Sequence, residues 1–157
     1  MSPPVQFVQV TTSRQIDAVA GLAHQIWYEY YVALIGRAQV DYMVAKFQSS
    51  GAVAGQMREG YEYFLIQRDG SDIGYCAVQP EAMNGSLFLS KLYLLRDARG
   101  GGTGRVCMEF IEQLARRLGT VARLDEDREP IGAQQERGIR QHHVARLVEQ
   151  VLVLAQP

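Results

Sequence analysis

One stretch, from Ser86 to Leu124, restricts the fold more than any other. Ser86 to Leu95 is rich in apolar and aromatic residues and reads as a long strand. A glycine cluster follows at Gly100 to Gly104, then an amphipathic stripe of Cys107, Phe110, Ile111, Leu114, Ala115 and Leu118. Gly119 stands where a helix ends on a left-handed residue, and Val121 to Leu124 is a second, short strand. Strand 86–95, helix 103–118 and strand 121–124 therefore form a βαβ crossover. Its two strands are expected to be parallel neighbours.

The flanking segments set the rest of the fold. Val5 to Val10 alternates as a first strand, and Thr11-Thr12-Ser13 offers hydroxyls to cap a helix. That helix carries Ile16, Val19, Ala20, Ala23, Trp27 and Tyr30 at helical spacing, and Gly36 breaks it. Val40, Met43, Val44 and Phe47 make a second stripe, ended by Ser49-Ser50-Gly51; a third runs from Val53 to Met57. Tyr61 to Gln67 and Ile73 to Val78 flank the turn pair Asp69-Gly70, a hairpin, and Asn84-Gly85 marks the next turn. After the crossover, Pro130 to Arg137 reads as a short helix, and 144–147 and 151–154 as two strands. The order β-α-α-β-β-β-α-β-α-β-β gives a mixed α/β (α+β) fold, with residues 1–157 as one domain.

Composition removes several classes of function. Sixteen Lys and Arg stand against seventeen Asp and Glu, so there is no whole-protein field for nucleic acid. Two cysteines make no disulfide framework, and buried inert thiols are expected for Cys76 and Cys107. No run approaches the roughly 18 apolar residues of a transmembrane helix, and the start lacks a secretory pattern. A cytoplasmic protein without nucleic-acid or membrane partners is the expectation. His142 and His143 would point to opposite sides of a strand, and His24 is distant, so no metal site is expected.

The loop Arg99-Gly100-Gly101-Gly102-Thr103-Gly104-Arg105 carries the chemistry. A helix start leaves about four N–H groups without partners and bears partial positive charge. Glycines let an anion approach that backbone, and Arg99 and Arg105 add cationic donors suited to phosphate. A phosphate or pyrophosphate site follows; a tight turn with two solvated arginines is the alternative. Gly104 is followed by Arg105 and Val106, not Lys and Ser/Thr, so this is no Walker A loop. The spacing fails G-x-G-x-x-G as well. What fits is Arg-x-x-Gly-x-Gly at 99–104.

That stretch, with the strand before it and the helix after it, resembles motif A of the GCN5-related N-acetyltransferase (GNAT) superfamily. The resemblance implies a GNAT-like acyltransferase fold: a mostly antiparallel sheet with one parallel strand pair splayed at a bulge, flanked by helices. It implies that Arg99, Gly100, Gly101, Gly102, Thr103, Gly104 and Arg105 cradle the pyrophosphate of acetyl-CoA. It also implies that backbone near Leu94 and Leu95 pairs with the pantetheine arm. An amine entering from the other side would attack the thioester directly.

The sequence departs from the family in its second half, where Asp127 stands at a frequent Asn and Gln134 at a frequent Tyr. Gln cannot act as an acid near pH 7. The family's frequent carboxylate base maps near Ser90 and Lys91, neither of them a carboxylate. Tyr93, two residues from Lys91 and on its face of the strand, and Glu29 are the candidates for proton transfer. Trp27, Tyr30 and Tyr31 share a helix face away from Tyr28. They are either core or the wall of an acceptor pocket for a cationic amine. The acidic cluster Asp125-Glu126-Asp127-Arg128-Glu129 is either a solvated loop or a feature that favours such an acceptor. The reading is an acetyl-CoA-dependent N-acetyltransferase acting on a small-molecule or protein amine, with homodimerisation left open. The alternative is a CoA-binding sensor module with little turnover.

Overall fold

The computed structural model describes residues 4–81, 83 and 85–123. Five strands and five helices are formed there, in the order β1 (Val5–Gln9), α1 (Ser13–Tyr30), α2 (Val32–Ile35), α3 (Arg37–Phe47), α4 (Ser50–Arg58), β2 (Glu62–Arg68), β3 (Ser71–Glu81), β4 (Ser86–Leu94), α5 (Thr103–Arg117) and β5 (Val121–Arg123). The short helix at 130–137 and the strands at 144–147 and 151–154 lie outside the described residues, as do Asp127 and Gln134.

The strands form one sheet in chain order. β1 to β4 are antiparallel, and β4 and β5 are parallel, Ser86 opposite Val121 and Phe88 opposite Arg123. The expected crossover is therefore present. Asp69 and Gly70 both have positive φ, +51° and +73°, which matches the twist a two-residue hairpin needs.

α1 and α4 begin where the sequence supplies a side-chain cap. Thr12 accepts from the Gln15 N–H at 3.2 Å and Gln15 Oε1 accepts from the Thr12 N–H at 3.0 Å, a reciprocal pair at the start of α1. Ser49 caps α4 by accepting from the Ala52 N–H at 3.2 Å. It thus opens a helix as well as closing the previous one. The break expected at Gly36 comes in two steps. α1 stops at Tyr30, α2 adds one turn, and Gly36 (φ +87°) redirects the chain into α3.

The sheet separates two apolar layers. On one face Tyr63, Leu65, Tyr75, Ala77 and Tyr93 pack against α1, α3 and α4 through Val19, Ile26, Trp27, Val40, Met43 and Val53. On the other, Phe64, Ile66, Cys76, Leu87, Leu89, Leu92 and Leu94 pack against Cys107, Ile111 and Ala115 of α5. Both cysteines are buried there as expected, and burial pushes the Cys107 thiol up to about 12.

β4 changes parity halfway. Leu87 and Leu89 face α5, and so do Leu92 and Leu94. Strict alternation cannot do this, so one residue must be extra. The register supplies it: Ala77 is opposite Lys91 but Val78 is opposite Leu89, leaving Ser90 as a bulge. The bulge turns Lys91 and Tyr93 together toward the helices of the first layer.

Candidate functional site: a glycine cradle at the end of β4

The loop between β4 and α5 is built from the unusual backbone its glycines permit. Gly100, Gly101 and Gly102 have φ of +81°, +61° and +84°, three consecutive left-handed residues. A single helical turn at Arg96–Ala98 delivers the chain to them. The Thr103 N–H donates to Gly100 O at 3.2 Å, and the Val106 N–H to Gly102 O at 3.1 Å. The Gly104 and Arg105 N–H groups, in the first turn of α5, have no intrahelical partner. A Cβ built on any of the three glycines meets nothing within 4 Å. The loop thus leaves open volume in front of backbone donors at a helix start, the shape that an anion requires.

The surrounding cations differ from one another. Arg105 is exposed, 3.4 Å from Glu109 one helical turn on. Arg99 is half-buried instead of exposed on a turn. Its Nε donates to Leu94 O at 3.0 Å, its guanidinium lies 5.4 Å from the centre of the Tyr30 ring, and its Nη2 is buried without a partner. Arg68, from the end of β2, donates through Nη2 to Thr103 Oγ1 at 2.7 Å; its Nε is buried and unpaired. Two guanidiniums with orphaned N–H groups beside an open loop fit a bound phosphate. Sequence reasoning missed Arg68, because nothing local to β2 shows that its end reaches α5.

The second part of the site is the edge of β4. β5 pairs with β4 over Ser86–Phe88, up to the last described residue, Arg123. Beyond that, among the described residues, this edge of β4 has no strand partner. The Leu95 N–H is turned away, donating to Ile73 O of β3 at 2.8 Å. Alternation then turns the backbone groups of Leu92 and Leu94 to the open edge, where Arg99 already meets Leu94 O. Of the two backbone positions expected to meet the pantetheine arm, Leu94 faces this edge and the Leu95 N–H does not.

The remaining candidates are not brought together. Tyr93 is buried, its ring centre 5.4 Å from that of Tyr75 and 6.1 Å from that of Trp27, and it hydrogen-bonds Tyr31. Burial holds its phenol well above the ordinary range. Trp27 and Tyr31 are likewise core residues, with rings 4.3 Å apart; only Tyr30 keeps a partly exposed face, toward Arg99. Tyr28 lies apart from them as expected, stacked on His24 and bonded to Asp41. Glu29 is exposed at the end of α1, and its carbonyl accepts from Arg96 Nη2 at 3.3 Å. It borders a cleft of about 390 Å³ with Arg68, Arg96 and Asp97, at the loop end of β4 and not at the bulge.

The bulge end holds a residue that the sequence reading passed over. Lys91 is 5% exposed. Its Nζ donates to Tyr63 Oη at 2.8 Å, Gln56 Oε1 at 3.1 Å, Phe47 O at 3.2 Å and Gln48 Oε1 at 3.3 Å. No carboxylate is among these partners. Burial lowers its pKa from 10.5 to about 7. Leucines at 87, 89, 92 and 94 were the available signal, since that spacing forces Lys91 inward.

A mixed sheet whose last two strands are parallel, with an open, cationic glycine loop at the start of the helix that joins them, is the arrangement of an acyltransferase-like fold. The profile of the acetyltransferase (GNAT) family matches residues 23–131, and the chain belongs to that family. Solved structures with the same fold include the PaiA N-acetyltransferase of Thermoplasma acidophilum in complex with coenzyme A. It is 15% identical, with a TM-score of 0.65 over 77% of this chain and 78% of that one. A GCN5-related N-acetyltransferase of Rhodopseudomonas palustris is 12% identical, with a TM-score of 0.59 over 76% and 69%. A GNAT-family acetyltransferase of Staphylococcus aureus Mu50 is 11% identical, with a TM-score of 0.54 over 74% and 70%. No curated protein sequence matches the chain. Among the described residues no helix is long and apolar enough to cross a membrane.

Proposed function

We propose that the protein moves the acetyl group of acetyl-CoA to a primary amine by direct attack in a ternary complex. The observation that carries this reading is the open cradle of three left-handed glycines at the start of α5, beside the end of β4. In it, the N–H groups of residues 100–105 and the side chains of Arg99, Arg105 and Arg68 hold the pyrophosphate. The open edge at Leu94 takes the pantetheine arm as an added strand would. Asp127 and Gln134 complete the coenzyme site from outside the described residues. Acetyl-CoA supplies an activated thioester; this chain's part is to orient it and exclude water. The N–C bond forms, the C–S bond breaks with its electron pair leaving on the CoA thiolate, and the proton lost by the acceptor nitrogen passes to solvent water.

Neither Tyr93, bonded to Tyr31 in the core, nor Glu29, at the far end of β4, is placed to take that proton. The lack of a carboxylate at the bulge favours the second reading, a CoA-binding module with little turnover. Release of free thiol from acetyl-CoA, assayed with a panel of small amines and lysine-containing peptides, separates the two. Amine-dependent thiol release is the result expected here. CoA binding with no amine-dependent release would establish the module.

A further inference from the structure

Lys91 is expensive to the fold and is not needed to satisfy it. Three of its four acceptors have a second donor, and the fourth, Tyr63 Oη, itself donates to Gln56 Oε1. Gln48 Oε1 accepts from Tyr75 Oη at 2.9 Å, Gln56 Oε1 accepts from Tyr63 Oη, and Phe47 O accepts from Gln56 Nε2 at 3.2 Å. Removing the amine would orphan none of these oxygens. What the amine does is tie segments together. From one residue past the β4 bulge, it reaches the last carbonyl of α3 (Phe47), the joint before α4 (Gln48), α4 itself (Gln56) and β2 (Tyr63).

The bulge is also where an arm anchored at the glycine loop would end. From Leu95 back to Ser90 is five residues, about 17 Å of strand. The corner between α3 and α4 therefore stands beside the bulge end of β4, where the acyl group of such an arm would lie, on the face opposite α5.

We infer that Lys91 is a positioning residue, whose ammonium holds the α3–α4 corner against the β4 bulge and so shapes the acceptor side of the site. This rests on the acetyl-transfer reading above. An ammonium has three N–H donors for four surrounding oxygens. A neutral amine has two donors and turns a lone pair toward an oxygen, so the corner loosens when the proton leaves. The other titratable groups facing the amine are phenols: Tyr63 from β2, Tyr75 from β3 and, further along β4, Tyr93. Burial holds all three in their neutral form. The Lys91 charge is thus the variable one in this layer.

The test uses the full chain with acetyl-CoA and whichever amine gives the fastest thiol release, comparing native protein with Lys91→Met and Lys91→Arg between pH 6 and 9. Displacing a wall of a site is expected to raise the acceptor KM of Lys91→Met about tenfold at pH 6, with kcat and the Kd for CoA within twofold of native. The ratio of the Met to the native KM should fall toward one by pH 9, as the native amine loses its proton. Lys91→Arg, whose charge persists, should restore a low KM and keep it at pH 9. If Arg fails to fold in this cage, the Met variant and its pH profile still decide. A KM ratio near one at pH 6, or one equally large at pH 9, overturns the inference. So does a loss confined to kcat. Native protein that binds CoA but acetylates no amine overturns the proposed function, and this inference with it. Native turnover shared unchanged by the Met variant overturns the role of Lys91 alone.

Discussion

Replacing Lys91 by Met should change how stability depends on pH. Lys91 ionises normally in the unfolded chain, near 10.5, and at about 7 in the fold, because burial penalises its charge. Between these values the unfolded chain binds more protons than the native one, so stability rises with pH across that window. A drop of about 3.5 pH units at about 1.36 kcal/mol each is about 5 kcal/mol in full, of which about 3 kcal/mol falls between pH 6.5 and 9.5. Met fills similar volume, three of the four oxygens around it keep another donor, and Tyr63 Oη keeps its bond to Gln56. Lys91→Met should therefore be more stable than native protein at pH 6.5, and the advantage should shrink by about 3 kcal/mol at pH 9.5. Urea unfolding of both proteins at the two pH values measures this, and taking the difference cancels the other titrating groups. An advantage that does not change with pH would refute the reasoning, because it would mean that the buried amine keeps its ordinary pKa.

Two further substitutions test the packing around the site. Gly74→Ala places a Cβ 2.2 Å from the Tyr93 carbonyl oxygen in the adjacent strand, so it should destabilise by about 3 kcal/mol or more; a melting temperature equal to native would contradict the register of β3 on β4. Arg99→Ala removes both the bond to Leu94 O and the stack on Tyr30, so it should lower the melting temperature by several degrees as well as weaken CoA binding; weaker binding at unchanged stability would mark Arg99 as a solvated cation.

The strands and helices were legible because their signals are local. The Asp69-Gly70 turn, the Thr12 cap and the α5 stripe each state their structure within a few residues. The glycine loop was legible for the same reason: only glycine adopts three successive left-handed conformations at little strain. What the sequence hid depends on pairing at long range. Arg68 and Thr103 meet across thirty-five positions, and Lys91 and Phe47 across forty-four. Arg99 reads as a solvated cation until the end of α1 brings Tyr30 over it. The aromatic run at Trp27 and Tyr31 could equally be core or pocket wall; the sheet decides, because Tyr93 and Tyr75 cover it. Ser90 and Lys91 look like a polar interruption on an exposed strand, and only the parity of the leucines around them reports the bulge.

The proposed function stands or falls on the three glycines before α5 cradling the coenzyme's pyrophosphate. Calorimetric titration of coenzyme A into native protein and Gly102→Ala tests it most directly. The substitution projects a methyl group into the open volume before the helix and asks a non-glycine residue to hold a φ of +84°. The account predicts saturable one-to-one binding by native protein and at least a tenfold weaker Kd in the variant, with both proteins folded by their melting curves. Equal affinity in the two, or native protein that takes up no coenzyme A, would contradict it.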